Sequence, residues 1–188
     1  MLRSRPVVRE ALSRCRQAAL ARFCRNSRGG AASEFALVAA PFVALTLAIL
    51  QVGIIYFAQQ ALETTVEQTA RLVLTGQALS AGMSQAQFAN ALCINNPGLF
   101  NCSGFMIDLQ QAASFAAVDT SKPTLTFKPD GSVSNTWQYN LGNPGDIMVM
   151  RVMYQWPVFL GPLSLNLANL SNNKHLLMAT SVFRNEPT

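Results

Sequence analysis

The sequence predicts an α+β protein in which a long N-terminal helix crosses a membrane and continues into a small antiparallel sheet. Three observations lead to this fold class. Residues 35–58 form an apolar run of 24 residues without charge, alternating apolar and polar residues recur from residue 104 onwards, and Pro, Asn and Gly separate the alternating segments. The chain has 188 residues, which is enough for one domain with a core.

The apolar run of residues 35–58 is the predicted transmembrane helix. As a helix it is about 36 Å long, and the hydrocarbon core of a bilayer is about 30 Å thick. The apolar part of a cleaved secretory signal covers only about 7–15 residues, so the run is too long for one. Tyr56 and Phe57 close the run, as aromatic side chains do at a membrane–water interface. The alternative is a buried core helix, for which 188 residues offer little surrounding protein.

Positive charge is concentrated before this span. Residues 1–29 hold eight arginines and one glutamate, whereas residues 35–188 hold six basic and seven acidic side chains. Such a block is typical of a tail or an orientation signal, so we expect no nucleic-acid partner. The positive-inside rule makes residues 1–29 a basic cytoplasmic leader and places the chain after the span in the periplasm of a bacterium. The alternative compartment is the mitochondrion, because an Arg-rich leader is also typical of transit peptides.

The helix is predicted to continue beyond the membrane, from about Ala31 to about Thr75, with Gly76 as its C-cap. Its outer part carries one apolar stripe at helical spacing, formed by Leu62, Val66, Ala70 and Val73. Residues 30–76 are therefore one transmembrane and amphipathic segment whose outer half needs a packing partner.

Residues 77–188 are the predicted periplasmic α+β domain that supplies this partner. Residues 84–93 predict a short helix. Strands are predicted at residues 104–110, in a hairpin over 123–140 around Pro129-Asp130-Gly131, at 146–156 and at 175–184. The short turns between successive strands indicate an antiparallel meander.

Two of the four cysteines lie on the predicted oxidising side of the membrane. Cys93 and Cys102 flank a short loop, and we predict a disulfide that stabilises the domain by roughly 2.5–3 kcal/mol in the loop-entropy model. Cys15 and Cys24 lie on the reducing side and are predicted to be free thiols. The alternative is that all four are ordinary small apolar residues.

Nothing in the sequence points to catalysis. The single histidine, His175, lies in a predicted strand, and the sequence contains no His pair at metal spacing, CxxC, GxSxG or Gly-rich phosphate loop. We therefore expect no enzyme activity, no cofactor and no metal site. The acids near turns and strand ends are predicted to be solvated: Asp108, Asp119, Asp130 and Asp146.

The segment Gly29-Gly30-Ala31-Ala32-Ser33-Glu34-Phe35, followed by an apolar helix, resembles the prepilin processing signal of type IV pilins. Residues 29–42, GGAASEFALVAAPF, resemble more closely the start of TadE-like proteins, minor pseudopilins of the tight-adherence (Tad or Flp) pilus. The segments MRVMYQWP at 150–157 and TSVFRNEP at 180–187 are also similar to this family. Pro41 comes one residue later than in the family pattern, and Ser33 is more polar than usual.

The resemblance implies a pilin-like fold and cleavage by a prepilin peptidase between Gly29 and Gly30, with the cut before Ala31 as a variant. Glu34 then becomes residue five, followed by Phe35, and its carboxylate pairs with an amine in an assembly. The implied partners are other pilin and pseudopilin subunits, the inner-membrane assembly platform and membrane lipid, in an adhesion and biofilm pilus. In the alternative interpretation the glycines form a loop and Glu34 favours the helix dipole.

A stripe of small residues in the span adds a hint of helix packing. Such a stripe lets a second helix approach closely. The alternative function is an uncleaved, singly anchored periplasmic binding module or enzyme. The stripe consists of Ala36, Ala40, Ala44 and Ala48.

Overall fold

The computed structural model describes residues 30–158, 166–170 and 172–187. The predictions for the leader, Gly29, Cys15 and Cys24 lie outside these residues. In the described part the helices are α1 (Gly30–Leu74), α2 (Gln77–Ser80) and α3 (Gln85–Ile94), and the strands are β1 (Met106–Ala112), β2 (Ile147–Pro157) and β3 (Lys174–Arg184). The predicted class, a long apolar helix followed by a small antiparallel sheet, is confirmed.

α1 ends close to the predicted position. Gly76 adopts the left-handed backbone conformation with a φ of 70°, which costs glycine nothing because it has no Cβ. Its N–H donates to the carbonyl of Val73 at 2.9 Å. The chain thereby turns out of α1 and enters the single turn of α2. A boundary between two compact units falls inside α1, between Thr46 and Leu47.

The sheet has the order β1-β2-β3, with both pairs antiparallel. β1 pairs with β2 from Met106–Met153 to Ala112–Ile147. β2 pairs with β3 without interruption from Ile147–Arg184 to Pro157–Lys174. Because side chains alternate between the faces of a strand, the even-numbered residues of β2 share one face, as the sequence predicts.

The core lies between this face and the outer part of α1, within the unit Leu47–Thr188. The predicted apolar stripe is buried, and each burial of a large aliphatic side chain contributes about 1.5–3 kcal/mol. The stripe residues are between 0% and 4% exposed, at Leu62, Val66, Ala70 and Val73. The facing strand residues are fully buried, at Leu109, Met148, Met150 and Val152.

The predicted hairpin over residues 123–140 is wrong as a pair of strands. A single bridge joins Phe127 to Val133. One step further from the turn, the side chain of Asn135 accepts a hydrogen bond from the N–H of Thr126 at 2.7 Å and donates to the carbonyl of Thr124 at 3.0 Å. The amide therefore takes the place of a partner strand and ends the ladder. Half-buried and exposed residues still alternate along both arms.

Candidate functional site

The described part of the predicted processing signal begins at Gly30 and is helical, and residues 32–35 are exposed. Glu34 and Phe35 lie in α1, where the Phe35 side chain is 74% exposed. The Ser33 hydroxyl donates back to the carbonyl of Gly30 at 2.8 Å. Among the described residues Glu34 has no ion pair or hydrogen-bond partner. Its carboxylate is therefore available to a group outside this part of the chain.

The helix around this carboxylate presents apolar side chains to its surroundings. α1 is the one helix in the described chain that is long and apolar enough to cross a membrane, with a mean hydropathy of 2.3 in its most apolar window. Pro41 lies inside it, and a membrane helix tolerates the lost N–H when nearby polar groups and neighbouring helices compensate. The large apolar side chains that are exposed before Leu47 are Phe35, Leu37, Val38, Phe42, Val43 and Leu45.

The predicted small-residue stripe differs in accessibility along its length. Ala36 and Ala40 are exposed, Ala44 is half-buried, and Ala48 is only 9% exposed. A second helix could therefore reach the first two or three alanines but not the whole stripe. The packing role of these alanines stays a prediction.

Cys93 and Cys102 form a disulfide, with their Cα atoms 5.5 Å apart. α3 brings Cys93 to this place. Ser84 begins α3 with a capping box, in which its backbone N–H donates to the Gln87 side chain at 2.8 Å and its hydroxyl accepts from the Gln87 N–H. The capped helix holds Cys93 in its last turn, so the bridge closes the loop that leads into β1.

An aromatic cluster packs this loop against β2. The ring of Phe100, which is 5% exposed, makes edge contacts with Tyr154 at 5.0 Å and Trp156 at 5.9 Å between centroids. The Tyr154 hydroxyl accepts from the N–H of Asn101 at 3.2 Å. A Cβ on Gly104 would come within 2.7 Å of the Tyr154 ring, so this position needs glycine. The loop is therefore anchored by packing as well as by the disulfide.

The prediction that Asp108 is solvated is wrong. Asp108 is 3% exposed, and its Oδ2 atom accepts from Nη2 of Arg151 at 2.8 Å and from Nε at 3.1 Å. Its Oδ1 atom accepts from the backbone N–H of Gln138 at 3.1 Å, and Arg151 also donates to the carbonyl of Asp119. The connection between β1 and β2 therefore contacts the sheet face that alternation assigns to solvent. Sequence spacing cannot reveal the pairing of residues 43 positions apart.

Arg184, the last residue of β3, and the segment after it have a structural role that sequence reasoning did not find. The Nε atom of Arg184 donates to the carbonyl of Gly145 at 2.8 Å. The Asn185 side chain donates to the carbonyls of Leu141 at 3.0 Å and of Asn143 at 3.2 Å. A Cβ on Gly142, which has a φ of 66°, would overlap the Met148 sulfur and lie 3.2 Å from the Asn185 amide. The tail is thus fitted to the turn that precedes β2.

The described residues contain no group of three or more His, Cys, Asp or Glu side chains that could hold a metal ion. His175 lies in β3, where its Nδ1 is 2.6 Å from the carbonyl of Leu167. Two exposed acids are held by local hydrogen bonds: the Ser121 and Ser132 groups lower the pKa values of Asp119 and Asp130, respectively. Burial raises the pKa of Tyr139, whose hydroxyl donates to the carbonyl of Met83.

These features define a class of protein: a disulfide-bridged α+β unit attached to one helix that could cross a membrane, with a carboxylate near the start of that helix. Residues 29–71 match the model of the family described as TadE-like protein. The match confirms the resemblance to TadE-like proteins of Tad pilus systems, a structural family. No curated protein and no solved structure matches the chain.

Proposed function

We propose that this chain is a minor pseudopilin that supports the assembly of a Tad-type adhesion pilus. The observation that carries the proposal is the unpartnered carboxylate of Glu34 in an apolar helix, within a segment that matches TadE-like proteins. In the proposed topology residues 1–29 stay in the cytoplasm, residues 30–76 cross the inner membrane and project from it, and residues 77–188 lie in the periplasm. The excess of arginine before the span supports this orientation.

A prepilin peptidase at the cytoplasmic face is proposed to cut between Gly29 and Gly30. Glycine suits the cut site because an extended backbone without a side chain fits a narrow cleft. The cut removes eight arginines and one glutamate and leaves a new α-amine four residues before Glu34. The mature chain then keeps the helix and the sheet but no longer carries the charge block that fixed its orientation.

Glu34 is proposed to pair with the α-amine of a neighbouring subunit. A charged side chain in the centre of a membrane helix costs about 2.5–3.5 kcal/mol, and less near the surface. Attraction to a second charge of opposite sign offsets part of this cost when the two groups are in direct contact. In each mature subunit the α-amine lies four residues before Glu34. Staggered neighbours can therefore form ion pairs between the α-amine of one subunit and the Glu34 carboxylate of the next, and these pairs fix the spacing of the helices.

The Glu34→Gln variant tests this proposal, because it keeps the shape of the side chain and removes the charge. We expect the variant to be inserted, cleaved and oxidised like the wild type, but to recover at least ten-fold fewer pilin subunits from detergent-solubilised membranes. The control is the double variant Glu34→Gln with Gln51→Glu, which carries a carboxylate at another position of the same helix. We expect that this variant does not regain the recovery of pilin subunits. If processed Glu34→Gln recovers the same partners in the same amounts, the assembly role of Glu34 is refuted.

The alternative is an uncleaved, singly anchored binding module or enzyme in the periplasm. The described residues offer no metal cluster to support an enzyme of the metal-dependent kind. This alternative predicts a protein that keeps residues 1–29 and is recovered without pilin subunits.

A further inference from the structure

The two edge strands of the sheet, β1 and β3, differ in how far their outward backbone groups are hydrogen-bonded within the chain. At the β1 edge the N–H of Leu109 donates to the carbonyl of Gln138 at 2.9 Å, and the carbonyl of Leu109 accepts from the N–H of Asn140 at 3.0 Å. The amide of Gln85 also reaches the carbonyl of Ile107 at 3.4 Å. The chain therefore covers the middle of this edge with its own backbone and a side chain.

Side chains and a loop cover only the first half of the β3 edge. The carbonyl of Lys174 accepts from the N–H groups of Asn169 and Leu170, and the N–H of Leu176 donates to Oδ1 of Asn169 at 2.7 Å. The carbonyl of Met178 accepts from the Gln59 amide at 2.9 Å. These bonds show that the backbone groups of even-numbered residues in β3 point away from β2.

The second half of the same edge is open. By the alternation of an antiparallel pair, the N–H and C=O groups of Thr180 and Val182 also point away from β2. Within residues 30–158, 166–170 and 172–187 these four groups have no hydrogen-bond partner. The pairing with β2 runs without a bulge, and no charged side chain interrupts β3 between its ends, so the usual devices that block an edge are missing.

An acidic groove meets this open edge at Thr180. It has a volume of about 330 Å³ and is lined by Glu63 and Glu67 of α1, by Met178 and Thr180 of β3, and by Thr120. The amides of Gln59 and Gln60 fix the two oxygens of Glu63 at 2.7 and 2.8 Å, whereas Glu67 is exposed and without a partner in the described chain. No basic side chain lines the groove.

We propose that the edge of β3 at Thr180 and Val182 binds an extended segment of a neighbouring pilin-type subunit, which adds a fourth strand and places a Lys or Arg side chain against Glu67. Backbone hydrogen bonds to the open edge supply affinity, as in other cases of strand addition. Charge complementarity with Glu63 and Glu67 selects the basic segment. This inference rests on the proposed function, because it specifies how the subunit contacts its neighbours.

Thr180→Pro tests the backbone contact. Proline removes an N–H that points away from β2 and so leaves the β2–β3 pairing complete, which is the setting in which strands tolerate proline. Thr180→Val is the matched control, because it changes the side chain and keeps the N–H. Glu67→Lys tests the charge, and Gln68→Lys introduces the same residue at the neighbouring exposed position outside the groove.

The tagged full-length chain is extracted from membranes in mild detergent, and the co-isolated pilin-type subunits are quantified by mass spectrometry. We expect at least a ten-fold loss for Thr180→Pro, at least a three-fold loss for Glu67→Lys, and wild-type amounts for Thr180→Val and Gln68→Lys. The oxidised state of Cys93 and Cys102 reports folding in each sample. If the Thr180→Pro variant lacks the Cys93–Cys102 disulfide, it has not folded. The proposed contact is then tested by comparing the pilin-type subunits recovered with Glu67→Lys and with Gln68→Lys.

Wild-type recovery by oxidised Thr180→Pro would overturn the strand contact while leaving the proposed function intact. Recovery of only a second copy of this chain through the edge would overturn the assigned occupant. If the wild type itself recovers no pilin-type subunit, the proposed function fails, and this outcome is separate from a failure of the variants.

Discussion

The backbone N–H of Glu186 donates a hydrogen bond of 2.8 Å to the carbonyl of Leu74, the last residue of α1. The final carbonyls of a helix lack partners within the helix, so the segment after β3 satisfies one of them. The neighbouring Asn185 joins the same segment to the turn before β2, because its N–H donates to the carbonyl of Asp146 at 2.9 Å. The C-terminal segment thus connects the outer end of α1 with the turn that precedes β2.

Asn185→Ala should lower the free energy of unfolding by about 1–3 kcal/mol, because the buried Asn185 amide no longer donates to the carbonyls of Leu141 and Asn143. The measurement is urea unfolding of the detergent-solubilised chain, followed by tryptophan fluorescence. Thr136→Ala, at an exposed position, is the control and should leave the midpoint unchanged. Equal midpoints for Asn185→Ala and the wild type would contradict the connecting role of the segment.

Asp108→Ala should destabilise the sheet by about 3–5 kcal/mol, because it leaves the largely buried Arg151 side chain without its carboxylate. The double variant Asp108→Leu with Arg151→Met removes both charges and should recover most of the loss. The same unfolding assay measures each variant. If the double variant is less stable than Asp108→Ala, the unpaired charge is not the cause of the loss.

The disulfide between Cys93 and Cys102 should be present in protein taken directly from cells. Non-reducing peptide mapping after blocking of free thiols checks this, and Cys15 and Cys24 should be alkylated wherever the leader is retained. Replacing both bridged cysteines with serine should cost about 2–4 kcal/mol of stability. A free thiol at Cys93 in intact cells would count against both the bridge and the periplasmic placement.

The sequence predicted the parts of the fold that depend on local spacing. The repeat of Leu62, Val66, Ala70 and Val73 located the buried face of α1, and Gly76 located its end, because helix periodicity and a left-handed cap are properties of adjacent residues. The even-numbered face of β2 followed from alternation in the same way.

The errors lie where a side chain makes a contact that the spacing of residue types does not show. The Asn135 amide replaced a strand partner, which alternation over residues 123–140 does not reveal because the alternation itself persists. Asp108 and Asn185 are buried by contacts with residues more than 40 positions away in sequence. The family resemblance singled out the segment at 184–187 but gave no physical reason for it. The hydrogen bonds of this segment to Leu74 and Leu141 give that reason.

The intact mass of the full-length gene product, extracted from membranes, tests the central claim most directly. The proposed processing predicts a mature chain that begins at Gly30, together with a Gly29→Phe variant that accumulates as the uncut precursor. A chain that begins at Ala31 would keep the proposed class and move the cut by one bond. Wild-type protein that retains Met1 and the arginine-rich leader, or a Gly29→Phe variant that is processed normally, would contradict the account.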